Sequence, residues 1–136
     1  MKNTKIMIVE DDGIVALDLR SRLRALGYTV PAAVASGEEA IQKAAEMRPN
    51  LVLMDIRLKG DMDGIEAAIE VRSRFDIPVV YLTAFADDDT LEKLKKTEPY
   101  GFLVKPYNTS ELHGVIETAL YKHGIEQKLR QSEERN

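Results

Sequence analysis

Cysteine is absent from the 136-residue chain. Its absence excludes disulfides and thiolate metal sites, and the composition suits a reducing, cytoplasmic setting. Long apolar runs are also lacking. Lys5-Ile6-Met7-Ile8-Val9 is too short and too early for a signal peptide, and no stretch reaches membrane-spanning length, so no membrane segment is expected. The basic residues are dispersed and the net charge is −4. A nucleic-acid surface needs a clustered basic face, so no nucleic-acid partner is expected for this domain. What remains, 44% hydrophobic and 31% charged residues, is the balance of one soluble globular domain with a core of its own.

Apolar runs alternate with amphipathic stretches five times. Ile6–Val9 is a short continuous apolar run, as in a strand buried on both faces. From Gly13 to Leu26 the period changes, with Ala16, Leu19, Leu23 and Leu26 on one helical stripe and Gly27 as the stop. Residues 28–34 read as the second strand. Pro31 cannot donate to a ladder and places that strand at a sheet edge. Ser36 and Glu39 form a capping box for a helix with Ala40, Ile41, Ala44 and Ala45 inward. Leu51–Met54, Pro78–Leu82 and Gly101–Val104 are the remaining strands. Helices are expected from Gly64 to about Arg74, from Asp87 to Thr97 on Leu91 and Leu94, and from Asn108 on Leu112, Val115, Ile116, Ala119 and Leu120. This order predicts an α/β fold, a doubly wound (βα)5 sandwich around a parallel five-stranded sheet. Sites in such folds lie beyond the carboxyl ends of the strands.

Those ends carry Glu10-Asp11-Asp12, Asp55, Thr83-Ala84 and Lys105-Pro106. Taken singly, each has a plain explanation: Asp12 as a helix cap, Asp55 as a turn residue, Thr83 and Lys105 as solvated surface. Together they gather carboxylates, a hydroxyl and an ammonium on one edge. Converging carboxylates repel, and a divalent cation removes that cost. An all-oxygen set suits Mg²⁺, or Mn²⁺, better than zinc. A carboxylate beside such an ion can attack phosphorus to give an acyl phosphate. Lys105 and the Thr83 hydroxyl can then hold phosphoryl oxygens.

The segments Ile8-Val9-Glu10-Asp11-Asp12, Leu53-Met54-Asp55, Tyr81-Leu82-Thr83-Ala84 and Gly101-Phe102-Leu103-Val104-Lys105-Pro106-Tyr107 resemble the receiver domains of two-component response regulators. The likeness spans about residues 4 to 122. It implies the flavodoxin-like strand order 2-1-3-4-5, for which the chemotaxis member is the standard example. It also implies a role for each position. Asp55 matches the phosphoacceptor. Asp11 matches the direct Mg²⁺ ligand, Glu10 the one acting through water, and the Arg57 backbone carbonyl the third protein ligand. Thr83 matches the switch hydroxyl, Ala84 the small residue that lets a backbone N–H approach, and Lys105 the phosphoryl-binding lysine. A cis bond is implied at Lys105-Pro106. Phe102 matches the aromatic whose rotamer tracks activation; having no hydroxyl, it has plain core packing as its alternative. Arg57 and Phe85 do not supply the water-positioning side chains of fast-dephosphorylating relatives, which predicts a long-lived phosphoryl state. Implied partners are a histidine kinase or phosphotransfer protein. The implied output is a population shift of the fourth helix, fifth strand and fifth helix, the face on which a homodimer is to be tested.

Other features weigh less. Asp61-Met62-Asp63-Gly64 is part of a calcium-loop pattern, but Lys59 breaks it. Asp87-Asp88-Asp89 reads as acids at a helix start, and His113 and His123 as surface residues. The receiver unit is expected over residues 1–123. Residues 124–136 form a charged linker or an extension of the last helix, with Glu126 and Arg130 spaced for a helical ion pair. The linker resembles those that precede PAS or kinase modules. A flavodoxin-like cofactor binder fits poorly, because Glu10-Asp11-Asp12 would repel a cofactor phosphate. A haloacid-dehalogenase-like phosphatase wants an Asp where Arg57 stands. A module that signals without phosphorylation would not need the complete polar set. The chain is therefore expected to be a self-modifying signalling domain rather than a conventional enzyme.

Overall fold

The computed structural model describes residues 3–58, 60–84, 88–96 and 99–134. In chain order the elements are β1 (Ile6–Val9), α1 (Gly13–Ala25), β2 (Ala33–Val34), α2 (Gly37–Met47), β3 (Leu51–Asp55), α3 (Gly64–Phe75), β4 (Val79–Thr83), α4 (Asp88–Lys96), β5 (Gly101–Val104) and α5 (Thr109–Glu134). The sheet is wholly parallel, in the order β2-β1-β3-β4-β5. This is the doubly wound α/β sandwich expected from the alternation, in the flavodoxin-like order that the resemblance implied.

Two apolar layers sandwich the sheet because successive strand side chains point to opposite faces. Met7, Val9, Val52, Met54, Val79 and Tyr81 pack with Ala40 and Ala44 of α2, Ala67, Ala68 and Val71 of α3, and Leu94 of α4. Ile6, Ile8, Leu51, Leu53, Val80 and Leu82 pack with Leu19 and Leu23 of α1 and Leu112, Ile116 and Ala119 of α5. Helices on both faces explain why the central strands read as unbroken apolar runs.

Several expectations need correction. β2 is only two residues long, with a separate bridge between Thr29 and Lys5. Pro31 lies between the two contacts and has no N–H to join them, although the strand is at the sheet edge as expected. Ala45 is exposed, since Ala40 and Ala44 already fill the narrow α2–sheet contact. Val115 and Leu120 are half-buried. The Ser36 cap is present: its hydroxyl oxygen accepts from the Glu39 N–H at 3.2 Å, and the hydroxyl donates to Glu39 Oε1 at 3.2 Å. Asp87, Thr97 and the Leu91 side chain lie outside the described residues.

The last helix continues past Gly124 without a break. Glu126 and Arg130 do not pair with each other as the spacing suggested. Asp76 ends α3 in the left-handed region, φ 55°, and projects its carboxylate toward α5. Arg130 Nη2 donates to both Asp76 oxygens, at 3.0 and 2.8 Å. His123 Nε2 lies 3.3 Å from Asp76 Oδ1, and its ring meets the Tyr100 ring edge-on at 5.6 Å. The Tyr100 hydroxyl donates to Glu126. The His123 side chain is 12% exposed, so the surface reading fails for it. His113 does stay at the surface, near the Tyr28 ring.

Burial pushes the Asp76 carboxyl up, but Arg130 and His123 outweigh it and hold the group below its ordinary range. Such a group stabilises the fold above its unfolded pKa, about 3.9, and that contribution fades as pH falls through the lower folded value. Asp76→Asn is therefore expected to lower the urea midpoint near neutrality, with the difference closing in acid. It should also speed amide exchange from Ile125 to Gln131. Unchanged exchange in that segment would mean that the clasp does not hold the helix.

Candidate functional site

Parallel pairing brings the carboxyl ends of the strands to one edge. Val9 aligns with Met54, Asp55 with Leu82 and Thr83 with Val104. Glu10 and Asp11 follow β1, Asp55 and Thr83 are the last residues of β3 and β4, and Lys105 follows β5. Glu10, Asp55 and Thr83 are buried, and Asp11 is half-buried. Asp12 turns the chain into α1, its Oδ1 accepting from the Ile14 and Val15 N–H groups at 3.0 and 3.2 Å. The Asp12 N–H donates to Glu10 Oε2 at 3.2 Å, which fixes that carboxylate. One carboxylate oxygen from each of Glu10, Asp11 and Asp55 falls within a set spanning no more than 4.8 Å. All donors are oxygen, and the cluster could hold a hard divalent cation.

Lys105 Nζ donates to Glu10 Oε1 at 3.0 Å and to Asp55 Oδ2 at 3.4 Å. Burial pulls the ammonium pKa down, but the hydrogen bond it donates to Glu10 and the charges of Asp55 and Glu10 outweigh it, and the net shift is upward. Lys105 is thus held as a cation. Its backbone N–H donates to the Thr83 carbonyl at 2.7 Å, and the Lys105-Pro106 bond is cis. Asp55 Oδ1 accepts from the Arg57 N–H at 3.0 Å, while the Arg57 side chain is exposed. Ala84 is exposed beside Thr83. Phe102 is 44% exposed and lies outside both core layers here; β5 is the sheet edge, where a side chain need not be covered. Phe85 and Lys59 lie outside the described residues.

Sequence reading missed one positioning residue. Gly64 opens α3 as expected, behind an Asp63 cap that was not foreseen, but it also lies against the Asp55 backbone. A Cβ there would stand 2.0 Å from the Asp55 carbonyl oxygen and 2.8 Å from Ile56 Cα. Its N–H donates to the Ile56 carbonyl at 2.9 Å. The only trace in the sequence is a glycine at a helical position where alanine would favour the helix more.

Residues 6–117 match the family model described as the response regulator receiver domain. The chain belongs to this family. A receiver domain is a signalling module of two-component systems rather than a conventional enzyme. The chain is 36% identical over 116 residues to the transcriptional regulatory protein PdtaR of Mycobacterium tuberculosis, covering 85% of this chain and 56% of that protein. It therefore spans about half the length of such curated relatives. Among solved structures it is similar to the signal receiver domain of a modulated diguanylate cyclase from Desulfovibrio desulfuricans (TM-score 0.87, 36% identity, 92% of this chain and 99% of that one). It is also similar to the receiver domain of the sensor histidine kinase PA1611 from Pseudomonas aeruginosa (TM-score 0.78, 30% identity, 88% and 98%), which has a magnesium ion coordinated in its active-site cleft.

Gly64→Ala is expected to destabilise this receiver domain by about 1–3 kcal/mol, because the methyl group must displace backbone rather than a side chain. Urea unfolding measures the loss. A midpoint equal to wild type would show that the β3–α3 turn relaxes freely.

Proposed function

We propose that this domain accepts a phosphoryl group on Asp55 from a histidine kinase or a phosphotransfer protein, and that the modification switches an output. The observation that carries the reading is Lys105 Nζ lying within 3.4 Å of both Asp55 and Glu10 at the edge of the three-carboxylate cluster. Asp55 attacks phosphorus; an O–P bond forms as the donor's P–N or acyl O–P bond breaks. Lys105 neutralises one phosphoryl oxygen and the Thr83 hydroxyl turns to another. Glu10, Asp11, Asp55 and the Arg57 carbonyl would hold Mg²⁺, or Mn²⁺, which when bound screens the carboxylates from the incoming phosphate. Ala84 keeps the approach open. Ile14 and Leu17, strongly exposed on α1 just after Asp11 and Asp12, support docking of the phosphodonor protein beside the cluster.

The face formed by α4, β5 and α5 is the assigned output surface and the assigned site of any homodimer. Exposed Phe102 and Val104 on β5 support this reading. Residues 1–123 act as the receiver unit, and residues 124–136 as the link to a PAS or kinase module.

Acetyl phosphate with Mg²⁺ should add one phosphoryl group, read by intact mass. Asp55→Ala should accept none, and removing Mg²⁺ should abolish labelling. Asp11→Asn should weaken Mg²⁺ binding by about tenfold or more. Thr83→Ala should still be labelled but should lose the chemical-shift response of Gly101 to Val104. Labelling that persists in Asp55→Ala would refute the assignment. Phosphate loss within seconds would refute the long-lived state inferred from Arg57 and Phe85.

A further inference from the structure

The opposite edge of the sheet carries a groove of about 810 Å³. It lies where Asp76 and Ile77 precede β4 and Tyr100 precedes β5, beneath the extension of α5. The phosphoryl-transfer chemistry does not use it. We propose that this groove binds a small amphipathic anion, an apolar chain or ring bearing one carboxylate, sulfonate or phosphate.

Size and lining argue for the apolar body. The volume falls within the range of small-molecule sites, about 300–1,000 Å³. Ile77 and Tyr100 are buried in the floor. Ile69 of α3 and Leu129 of α5 are 48% and 59% exposed along its sides. Two large aliphatic side chains left in water on either side of a concavity regain contacts only when something fills it.

Charge argues for the anionic head. The whole chain carries −4, yet among the described residues the lining holds Arg72, Lys96 and Arg130 against Asp76 and Glu126. Both acids are already engaged, Asp76 by Arg130 and His123, Glu126 by the Tyr100 hydroxyl. Lys96 is exposed and forms no ion pair among the described residues. A cationic amphiphile would meet unfavourable charge here, and a neutral one would leave Lys96 unused. An anion with an apolar body matches both features. Such a ligand would touch α3, the end of α4, the residue before β5 and α5 together, adding to the hold of the Asp76 clasp.

Decanoate titrated into the isotopically labelled full chain is the test. The expected result is saturable one-to-one shifts at Ser73, Lys96, Tyr100 and Leu129, with Ile14 and Leu17 unmoved. Decanol and decylamine should bind at least about tenfold more weakly, the factor that corresponds to losing one favourable charge contact. Lys96→Glu and Leu129→Asp, both at exposed positions, should each weaken decanoate binding by a similar factor while circular dichroism stays at wild type. Shifts that never saturate, or that spread over every apolar patch, would overturn the proposal. So would equal affinity for decanol, or indifference to both substitutions. Shifts at the same residues that grow with protein concentration in the absence of ligand would assign the groove to self-association and overturn it as well. Acetyl phosphate labelling is read separately, so the two assignments fail independently.

Discussion

The Glu10 carboxylate side chain is 2% exposed, and the Lys105 ammonium at 3.0 Å, together with the Asp12 N–H at 3.2 Å, keeps it there. A buried carboxylate without a partner is strongly unfavourable, and removing one member of such a pair leaves the other exposed to that penalty. Glu10 follows β1 and Lys105 follows β5, so the pair reaches over the ends of β3 and β4. Only strands that run parallel and end in register bring the two within reach. The bridging ammonium also sits over Asp55, so one charge sets the geometry of the whole edge.

That geometry has a backbone counterpart. The Arg57 N–H holds one Asp55 oxygen, Lys105 faces the other, and Gly64 packs against the Asp55 carbonyl. Asp55 is therefore fixed in side chain and main chain before any partner arrives. Residues outside the two core layers, such as Phe102 and Val104, have no comparable restraint. The division is between a preorganised chemical edge and a more exposed lateral face, which is the distribution a switch requires.

Most of this was legible in the sequence because it follows from short-range rules. Apolar runs such as Leu51–Met54 gave buried strands, and polar residues directly after them gave the edge where chemistry sits. Ser36 and Asp12 announced their caps. What escaped depends on contacts between distant residues. Nothing local to Asp76 says that Arg130 will reach it, so the Glu126–Arg130 spacing suggested the wrong pair. Ala45 follows the helical stripe but falls just beyond the contact that Ala40 and Ala44 make. β2 looked like a full strand because periodicity does not register that one proline splits the pairing in two.

The 26 residues of α5 form one uninterrupted helix. At 1.5 Å per residue this is a rod about 39 Å long. Its first half is bedded on the sheet through Leu112, Ile116 and Ala119, and its second half is tethered to the body at Asp76. A rod held in this way behaves as a lever arm with a fulcrum. A tilt of roughly a tenth of a radian at the bedded end would displace the far tip by about 4 Å over that length. Strength of the tether would then decide whether such a tilt reaches the tip or is absorbed before it.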